Sequence, residues 1–336
     1  MNNIPKAFDY LFYSSYYPDL NKEIGQNEEL LKKHYLHHGR FEGRKYCNLP
    51  DKFNWIKYID YINAKDNIII DSKEESIYHY ITFTAPNIPS ECLDLDLDLD
   101  LDLDLDLDVT IDKPIYIVYF CFLNNQRDWM RMIHDQLIDV KNTGIFNSSK
   151  FHAVIYGDPE DIIKAHTMME ELIVQKIEIT PVHTNRYEFP AIIKIRELAI
   201  EKPDKIFIYF HSKGMVNHNF STYRTQLECK LSLSTFMNWD ETLYKFNTNP
   251  NIQKAGLMPS SEGWLWFNFW WARGSYLVSC QPIIESDNRF ECESWVGSYG
   301  SKTWSDCYSI IDKKISFTDD PSTDCWTKTC CYYGCY

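Results

Sequence analysis

The sequence lacks the features that would direct the chain into a membrane, out of the cell or onto nucleic acid. No uninterrupted apolar stretch reaches the roughly 20 residues that a membrane helix needs. Residues 1–10 contain no basic segment followed by an apolar one, so we expect no secretory signal. The formal net charge is −14, whereas binding to a phosphate backbone needs a basic surface. We therefore expect a soluble cytoplasmic protein with no membrane span and no nucleic-acid partner.

The sequence also lacks a paired zinc-binding spacing among its 11 cysteines. In an intracellular protein most of them are expected to be reduced thiols in the core. The exception is a cluster in the C-terminal tail, which we interpret as a packed or frayed terminus rather than as a metal knuckle. Its members are Cys325, Cys330, Cys331 and Cys335.

A low-complexity tract divides the 336-residue chain. Leu and Asp alternate from Leu93 to Asp108, and this tract supplies eight aspartates. The alternation alone would suit an amphipathic strand, but Asp is a poor strand former and the carboxylates on one face would repel each other. We interpret residues 86–112 as an acidic, flexible linker between a module at 1–85 and a larger domain at 113–336.

The module before the linker contains an internal repeat. Phe8 to Tyr13 aligns with Phe53 to Tyr58, and His34-Tyr35 aligns with His79-Tyr80. A period of about 45 residues that holds over several anchors predicts two copies of one helical hairpin. We expect the aromatic residues at helical spacing, and the two histidines, to lie mainly in the core.

The first copy carries a recognisable turn and ending. The turn is Tyr17 to Leu20, Tyr-Pro-Asp-Leu, and the ending combines His34-Tyr35, Gly39 and Glu42-Gly43-Arg44. These features resemble a short helical module attached to bacterial and large-virus surface proteins and glycosyltransferases. The resemblance implies an accessory module to which a docking partner can bind. The second copy lacks the Gly-Arg ending.

Beyond the linker, short apolar runs alternate with amphipathic stretches. This alternation predicts an α/β fold with a parallel sheet and helices on both faces. The predicted strands are Ile115–Leu123, Phe151–Tyr156, Lys176–Thr180 and Ile206–Phe210, and the predicted helices are Trp129–Val140, Asp161–Leu172 and Phe189–Glu201.

The last of these strands ends in a polar, basic loop. His211, Ser212, Lys213 and Gly214 follow the apolar run directly. Because ligands sit at the carboxyl ends of the strands in open α/β sheets, this loop is a candidate anion site. The alternative is a solvated turn.

Four motifs of this region occur in a fixed order. In this combination they resemble a family of GT-A type glycosyltransferases, common in bacterial polysaccharide clusters and large DNA viruses, over residues 114–304. The resemblance implies a GT-A (Rossmann-like) mostly parallel sheet preceded by a small all-α duplicated module. For a viral member the expected location is the host cytoplasm. The motifs are Tyr187-Glu188-Phe189-Pro190, Tyr209 to Gly214, Asn268 to Arg273, and Arg289 to Trp295.

The resemblance implies a nucleotide diphosphate sugar as donor. Many GT-A enzymes hold a metal with Asp-x-Asp after the fourth strand, whereas this chain has His211, Ser212 and Lys213 there. Lys213 can neutralise the diphosphate directly, with His211 as a hydrogen-bond donor, so a requirement for Mg²⁺ or Mn²⁺ stays open. The Asp-Leu-Asp triplets of the linker match the metal motif through repetition alone, and we assign no metal to them.

Seven residues are the predicted donor-binding set. For Asn124 and Asp158 the alternative is an ordinary turn at a strand end. For Glu188 it is an acid that stabilises the N-terminus of its helix, and for Arg224 it is a surface arginine. The set is Asn124, Asp158, Glu188, His211, Ser212, Lys213 and Arg224.

The aromatic segment Gly263 to Trp271 is the predicted acceptor side. Asn268 is a polar residue in an apolar run and should therefore be satisfied or functional. Trp270 and Trp271 are equally consistent with sugar stacking and with core packing. Arg273 is expected at the rim of the site.

An inverting glycosyl transfer needs a carboxylate that takes the proton of the acceptor hydroxyl. The resemblance makes Glu293 the candidate base and Glu291 the second candidate. The alternative for Glu293 is a structural salt bridge with Arg289, and Asp306 lies downstream as a further acid.

These features predict an enzyme that transfers a hexose or deoxyhexose from a nucleotide diphosphate sugar to a glycan hydroxyl. A catalytically inactive carbohydrate-binding or scaffolding protein on the same fold is the main rival, because no Asp-x-Asp stands outside the linker. A transferase that acts on protein side chains is a third possibility.

Overall fold

The structure is a computed structural model, and it describes residues 4–39, 44–50, 53–66, 70, 72–84, 92, 113–173, 175–212 and 226–310. Among these, the residues up to 92 form one compact unit and those from 113 onward form another. The Leu-Asp tract and the four tail cysteines lie outside the described residues, so their interpretations stay predictions.

Short helices form the described part of the first unit. The Asp9 side chain accepts hydrogen bonds from the backbone N–H groups of Leu11 and Phe12, which caps the first helix. Pro18 begins the second helix, where its missing N–H has no partner to lose. The helices are α1 (Tyr10–Tyr16), α2 (Pro18–Glu23), α3 (Glu28–His34), α4 (Trp55–Asp66) and α5 (Lys73–His79), with a π-helical turn after α3 at Tyr35–Gly39 and after α5 at Tyr80–Thr84.

The two copies repeat the same internal contacts about 45 residues apart. Tyr13 Oη lies 3.0 Å from His34 Nδ1, and Tyr58 Oη lies 2.9 Å from His79 Nδ1. In each copy a phenylalanine packs on this fully buried tyrosine with 5.3 Å between ring centroids. The repeat in the sequence therefore corresponds to a repeated arrangement of core side chains.

The second unit is an α/β structure with a seven-stranded mixed sheet in the order β3-β2-β1-β4-β6-β5-β7. The predicted alternation of strands and helices is confirmed from Ile115 to His211, with strand ends shifted by one or two residues. The strands are β1 (Ile115–Phe122), β2 (Ser149–Tyr156), β3 (Glu178–Val182), β4 (Ile206–His211), β5 (Lys254–Gly256), β6 (Trp270–Arg273) and β7 (Cys307–Ser309).

Helices cover both faces of this sheet, as predicted. Tyr116, Val118 and Phe120 of β1 share a core with the helix that begins at Phe189. Tyr119 points to the opposite face and donates a hydrogen bond to Gln136 at 2.6 Å. The helices are α6 (Trp129–Asn142), α7 (Pro159–Ile173), α8 (Phe189–Glu201), α9 (Gln226–Phe236), α10 (Trp239–Thr248), α11 (Gly274–Ser279) and α12 (Phe290–Ser298).

Two strand directions are mixed in the sheet. β3, β2, β1 and β4 run parallel, whereas β6 runs antiparallel to both β4 and β5. The residues just before β6 therefore lie at the same edge as the residues just after β4. The aromatic segment before β6 is not one continuous strand, because a short 3₁₀ turn at Trp266–Asn268 interrupts it.

Within the described ranges, no helix is both long enough and apolar enough to cross a membrane.

Candidate functional site

The carboxyl edge of the parallel strands contains the candidate site. Along the chain, β1 to β3 extend the sheet in one direction, and β4 then pairs with the free side of β1. A crevice for ligands forms where the strand order reverses in this way. Tyr209 of β4 pairs with Trp270 of β6, so Asn268 is also placed at this edge.

Glu188, at the N-terminus of α8, is the centre of a polar cluster. Its Oε2 accepts hydrogen bonds from Tyr209 Oη at 2.8 Å and from Asn268 Nδ2 at 2.6 Å. Asn268 is fully buried, and its Oδ1 accepts from Trp270 Nε1 at 2.7 Å. The Glu188 side chain makes no capping hydrogen bond to its own helix. The carboxylate is therefore held by the sheet and by the turn before β6.

The other oxygen of this carboxylate has a different environment. Among the described residues, Oε1 of Glu188 accepts no hydrogen bond, and it lies 3.8 Å from Nδ1 of His211. The Glu188 side chain keeps 16% of its surface exposed. This oxygen is consequently the part of the cluster that can accept a hydrogen bond from a ligand.

Tyr209 remains a donor to this carboxylate. Burial raises the pKa of Tyr209 well above its ordinary value, and the negative charges of Glu188 and, more weakly, Glu293 raise it further. The phenol therefore keeps its proton. Tyr209 was not among the predicted site residues, although it shares a face of β4 with His211 because side chains alternate along a strand.

His211 and Ser212 are built into the end of β4. His211 is buried, and its Nε2 lies 3.0 Å from the carbonyl oxygen of Phe267, so this nitrogen carries a proton and donates. The Ser212 Oγ accepts the backbone N–H of Phe122 at 2.9 Å, which extends the pairing of β1 with β4. Both side chains thus lie at the predicted edge and also fix its backbone.

Strained backbone is concentrated at the same place. Within the described part of the chain, three non-glycine residues have positive φ: Tyr187 at 51°, Phe267 at 68° and Asn268 at 59°. Tyr187 precedes Glu188, and the other two carry the groups that contact Glu188 and His211. Left-handed backbone at non-glycine residues is unfavourable and is found preferentially at functional sites.

Helix α12 lies beside this cluster. Its Cys292 shares a buried core with Tyr209 and is next to Glu188, and the charge of the following residue, Glu293, contributes to the raised pKa of Tyr209. Arg289 lies over the ring of Phe290 at 4.9 Å, and in the described residues it forms no ion pair with Glu293. The alternative of a structural Arg289–Glu293 salt bridge is therefore wrong.

The second candidate acid is on the same helix. Glu291 is half-buried, and its charge and that of Glu293 both contribute to the raised pKa of Cys292.

Asp306 belongs to a separate buried ion pair. Its Oδ1 lies 3.5 Å from Nζ of the fully buried Lys254. The same ammonium donates hydrogen bonds to Tyr276 Oη and to Ser301, each at 2.9 Å. This arrangement ties β5 to the segment before β7.

Three residues of the predicted acceptor side do not offer a ligand surface. Trp270 and Trp271 are fully buried, and Trp271 donates its indole N–H to the Thr235 carbonyl on the opposite face of the sheet. Arg273 pairs with Ile206 at the other end of β4 because β6 is antiparallel. Its guanidinium donates to main-chain carbonyls, including that of Ile252 at 2.7 Å. The prediction that Arg273 lies at the rim of the site is therefore wrong.

The loops after β1 and β2 meet at the carboxyl edge. Asn124 Oδ1 accepts the backbone N–H of Gln126 at 3.0 Å, and Asn125 Nδ2 donates to Asp158 at 3.1 Å. Asn124 thus has the hydrogen bond of an ordinary turn, while Asp158 is exposed. The half-buried rings of Phe122 and Tyr156 stack beside these loops with centroids 5.2 Å apart. No pattern in the sequence predicted that these two rings stack.

A buried polar network supports β4 from the other face. Gln136 donates to the carbonyl of His211 at 3.2 Å and to Ser232 Oγ at 2.9 Å. Ser232 in turn donates to the fully buried carboxylate of Glu228 at 2.7 Å. The end of β4 is therefore held from both faces.

Lys213 and Arg224 lie outside the described residues, so their predicted roles are not tested. Among the residues that are described, no group of three or more His, Cys, Asp and Glu side chains is arranged to hold a metal ion.

Comparison of the chain with protein-family models, curated proteins and solved structures finds no match, so the site is interpreted from its own geometry.

Proposed function

We propose that the chain is a glycosyltransferase that moves a hexose or deoxyhexose from a nucleotide diphosphate sugar to a glycan hydroxyl. The observation that carries this proposal is the cluster of Glu188, Tyr209, Asn268 and His211 beside Glu293 at the carboxyl edge of the sheet. This edge is where open α/β sheets bind nucleotide-containing ligands.

Glu188 is the proposed contact to the transferred sugar. Tyr209 and Asn268 occupy one oxygen of its carboxylate and fix its orientation, while the other oxygen accepts no hydrogen bond from a described residue. A sugar presents hydroxyl donors, and hydrogen bonds to a charged acceptor are stronger than those between neutral groups. A pre-oriented carboxylate also loses little side-chain entropy on binding.

Glu293 is the proposed base. The acceptor hydroxyl gives its proton to this carboxylate while its oxygen bonds to the anomeric carbon. The bond from that carbon to the diphosphate breaks, and its electron pair leaves with the nucleoside diphosphate. Lys213 is proposed to neutralise this leaving group. Within the described part of the chain Arg289 lies over the ring of Phe290 and forms no ion pair with Glu293, which supports a role for Glu293 other than a salt bridge with Arg289.

The test is calorimetric titration with hexose and deoxyhexose donors carried on UDP, GDP or dTDP, with and without Mg²⁺ or Mn²⁺. We expect one donor class to bind selectively. Glu188→Gln should weaken this binding about tenfold, because it replaces a charged acceptor with a neutral one. Glu201→Gln, an exposed acid at the other end of α8, is the matched control and should bind normally.

Two results would contradict the proposal. If no nucleotide sugar binds to folded protein, the carbohydrate-binding or scaffolding rival becomes the better account. If binding is equal in both variants, Glu188 is not a donor contact. A transferase with a protein side chain as acceptor would instead retain donor binding and fail to use glycan acceptors.

A further inference from the structure

Two exposed aromatic side chains lie beside the carboxylate cluster of the second unit. Tyr187 is 43% exposed and Phe290 is 58% exposed. Phe189 and Cys292, each two residues further along the chain, belong to the buried core. Among the described residues, Tyr187 and Phe290 are neither in that core nor among the half-buried residues packed against it. Core packing therefore does not account for these two rings.

Two contacts join the segments that carry the rings. Arg186 forms an ion pair with Glu285. Cys292 is next to Glu188, whose charge contributes to the raised pKa of this thiol. One ring belongs to the residue between Arg186 and Glu188, and the other lies between Glu285 and Cys292. Both rings are therefore placed on one rim of the candidate site.

A tight turn holds Tyr187 on this rim. Its backbone N–H donates to Asn185 Oδ1 at 3.1 Å, and the Phe189 N–H donates to the carbonyl of Arg186 at 3.2 Å. The φ of 51° at Tyr187 is unfavourable for a bulky residue. In the part of the chain that the structure describes, its hydroxyl makes no hydrogen bond and its ring contacts no other ring or cation. The turn thus presents the ring to solvent, where a ligand can reach it.

Arg289 adds an available cation to the same rim. Its guanidinium lies over the ring of Phe290 at 4.9 Å from the centroid. Arg289 is exposed, and within the described ranges its guanidinium forms no ion pair and no hydrogen bond. Arg289 precedes Glu293 by four residues and has helical backbone angles, so the two lie on one side of α12. A guanidinium with unused donors is therefore placed beside the proposed base.

The chemistry of this rim fits an uncharged sugar. An exposed tyrosine ring gives a flat, amphipathic surface on which the C–H face of a sugar can stack. A guanidinium has five N–H donors for the hydroxyl oxygens of the same sugar. The segments 183–188 and 284–293 together carry five carboxylates and two guanidinium groups. Because like charges side by side are unfavourable, this excess of carboxylates disfavours an acidic sugar.

We propose that Tyr187, Arg289 and Phe290 form the acceptor subsite, which binds an uncharged sugar residue of the acceptor glycan. Tyr187 stacks on the sugar ring, Arg289 donates to its hydroxyl oxygens, and Phe290 holds the guanidinium in place. The assignment of this sugar as the acceptor rests on the proposed function, because the acceptor hydroxyl must reach Glu293.

The test is native gel electrophoresis of the full chain in gels that contain dextran, galactomannan, polygalacturonate or no polymer. We expect at least one of the two uncharged polymers to retard the protein and polygalacturonate not to. Tyr187→Ala and Arg289→Ala should each raise the dissociation constant obtained from the retardation about tenfold, since aromatic and arginine residues at a binding centre contribute most of its affinity. Circular dichroism checks that the variants remain folded.

Tyr78→Ala is the matched control. Tyr78 is also an exposed tyrosine with a cation near its ring, the Lys6 ammonium at 5.9 Å from the centroid, but it belongs to the first unit. This variant should be retarded like the unmodified protein. The proposal would be overturned by a lack of retardation in both uncharged polymers, by equal retardation of all the variants, or by stronger retardation in polygalacturonate.

Titration with the nucleotide sugars separates this proposal from the proposed function. If a nucleotide sugar binds to the unmodified protein but the uncharged polymers do not retard it, the acceptor subsite alone is wrong. If retardation depends on Tyr187 and Arg289 while no nucleotide sugar binds, the transferase is wrong and the subsite stands as a binding site for an uncharged glycan.

Discussion

Asn268 is the residue that links the turn before β6 to the carboxylate of Glu188. Its side chain donates to Glu188 and accepts from Trp270, so its loss removes a donor and leaves a buried indole N–H unpaired. We expect Asn268→Ala to lower the free energy of unfolding by about 2 kcal/mol. Urea unfolding measures this change. The control Asn125→Ala, which removes an exposed amide, should lower the free energy of unfolding by less than about 0.5 kcal/mol. An equal loss of stability in both variants would contradict the role of Asn268.

His152 makes the stability of the second unit depend on pH. Burial lowers the pKa of His152, the charge of Lys194 lowers it further, and Glu178 acts in the opposite direction. Below its ordinary pKa of about 6.5, the unfolded chain binds a proton that the folded chain does not, so stability falls as the pH falls.

The variant His152→Gln removes the contribution of His152 to this pH dependence. We expect its free energy of unfolding to fall less than that of the unmodified protein between about pH 7 and about pH 5. Urea unfolding at several pH values provides the comparison. Thr167→Ala, which changes no titratable group at an exposed position of α7, should keep the original pH dependence. If the free energy of unfolding of His152→Gln falls with pH as steeply as that of the unmodified protein, another group causes the pH dependence.

At the scale of elements, α12 depends on a glycine for its close contact with the segment that precedes the turn at Trp266–Asn268. A Cβ on Gly297 would lie 2.5 Å from the backbone nitrogen of Trp264 and 2.8 Å from the backbone carbon of Gly263. Because these are backbone atoms, Gly297→Ala must displace the helix or this segment. We expect a loss of about 2 kcal/mol in the free energy of unfolding.

The same substitution should affect catalysis, since Glu293, the proposed base, lies one helical turn before Gly297. Slower hydrolysis of the nucleotide sugar by Gly297→Ala is therefore expected in a rate assay. Ser298→Ala, at the next and exposed position, is the control for both measurements. If Gly297→Ala has the same free energy of unfolding as the unmodified protein, the close contact of α12 does not require a glycine and the prediction is wrong.

The sequence predicted some elements well because their patterns are local. The run Ile206 to Phe210 is bounded by polar residues, and the helix from Phe189 to Glu201 begins with a proline in its first turn. The direction of β6 was not predictable, because strand orientation depends on the turn at Trp266–Asn268. That turn uses left-handed backbone at Phe267 and Asn268, which composition does not indicate.

The residues of the candidate site were also predicted only in part, because some of their positions follow from local motifs and others from the pairing of the strands. Glu188, His211 and Asn268 were identified from their motifs and lie together in the structure. Tyr209 was missed, and Trp270 and Trp271 were left open between sugar stacking and core packing, since the face on which a strand residue lies requires the sheet pairing. Arg273 was misplaced because its position depends on the direction of β6.

At the scale of the whole molecule, the two units offer different chemistry. The second has the open sheet and the carboxylate cluster on which the proposed transfer depends. The first has duplicated cores, each built on a buried tyrosine next to a histidine.

The most direct test of the central claim is the hydrolysis rate of the selected nucleotide sugar in Glu293→Gln and Glu291→Gln. Both acids are on α12, so the two variants differ only in which carboxylate is removed. If Glu293 takes the proton of the attacking hydroxyl or water, Glu293→Gln should bind the donor normally and hydrolyse it at least about 100-fold more slowly. Glu291→Gln should keep most of the activity. Normal hydrolysis in Glu293→Gln, with normal donor binding, would contradict the account.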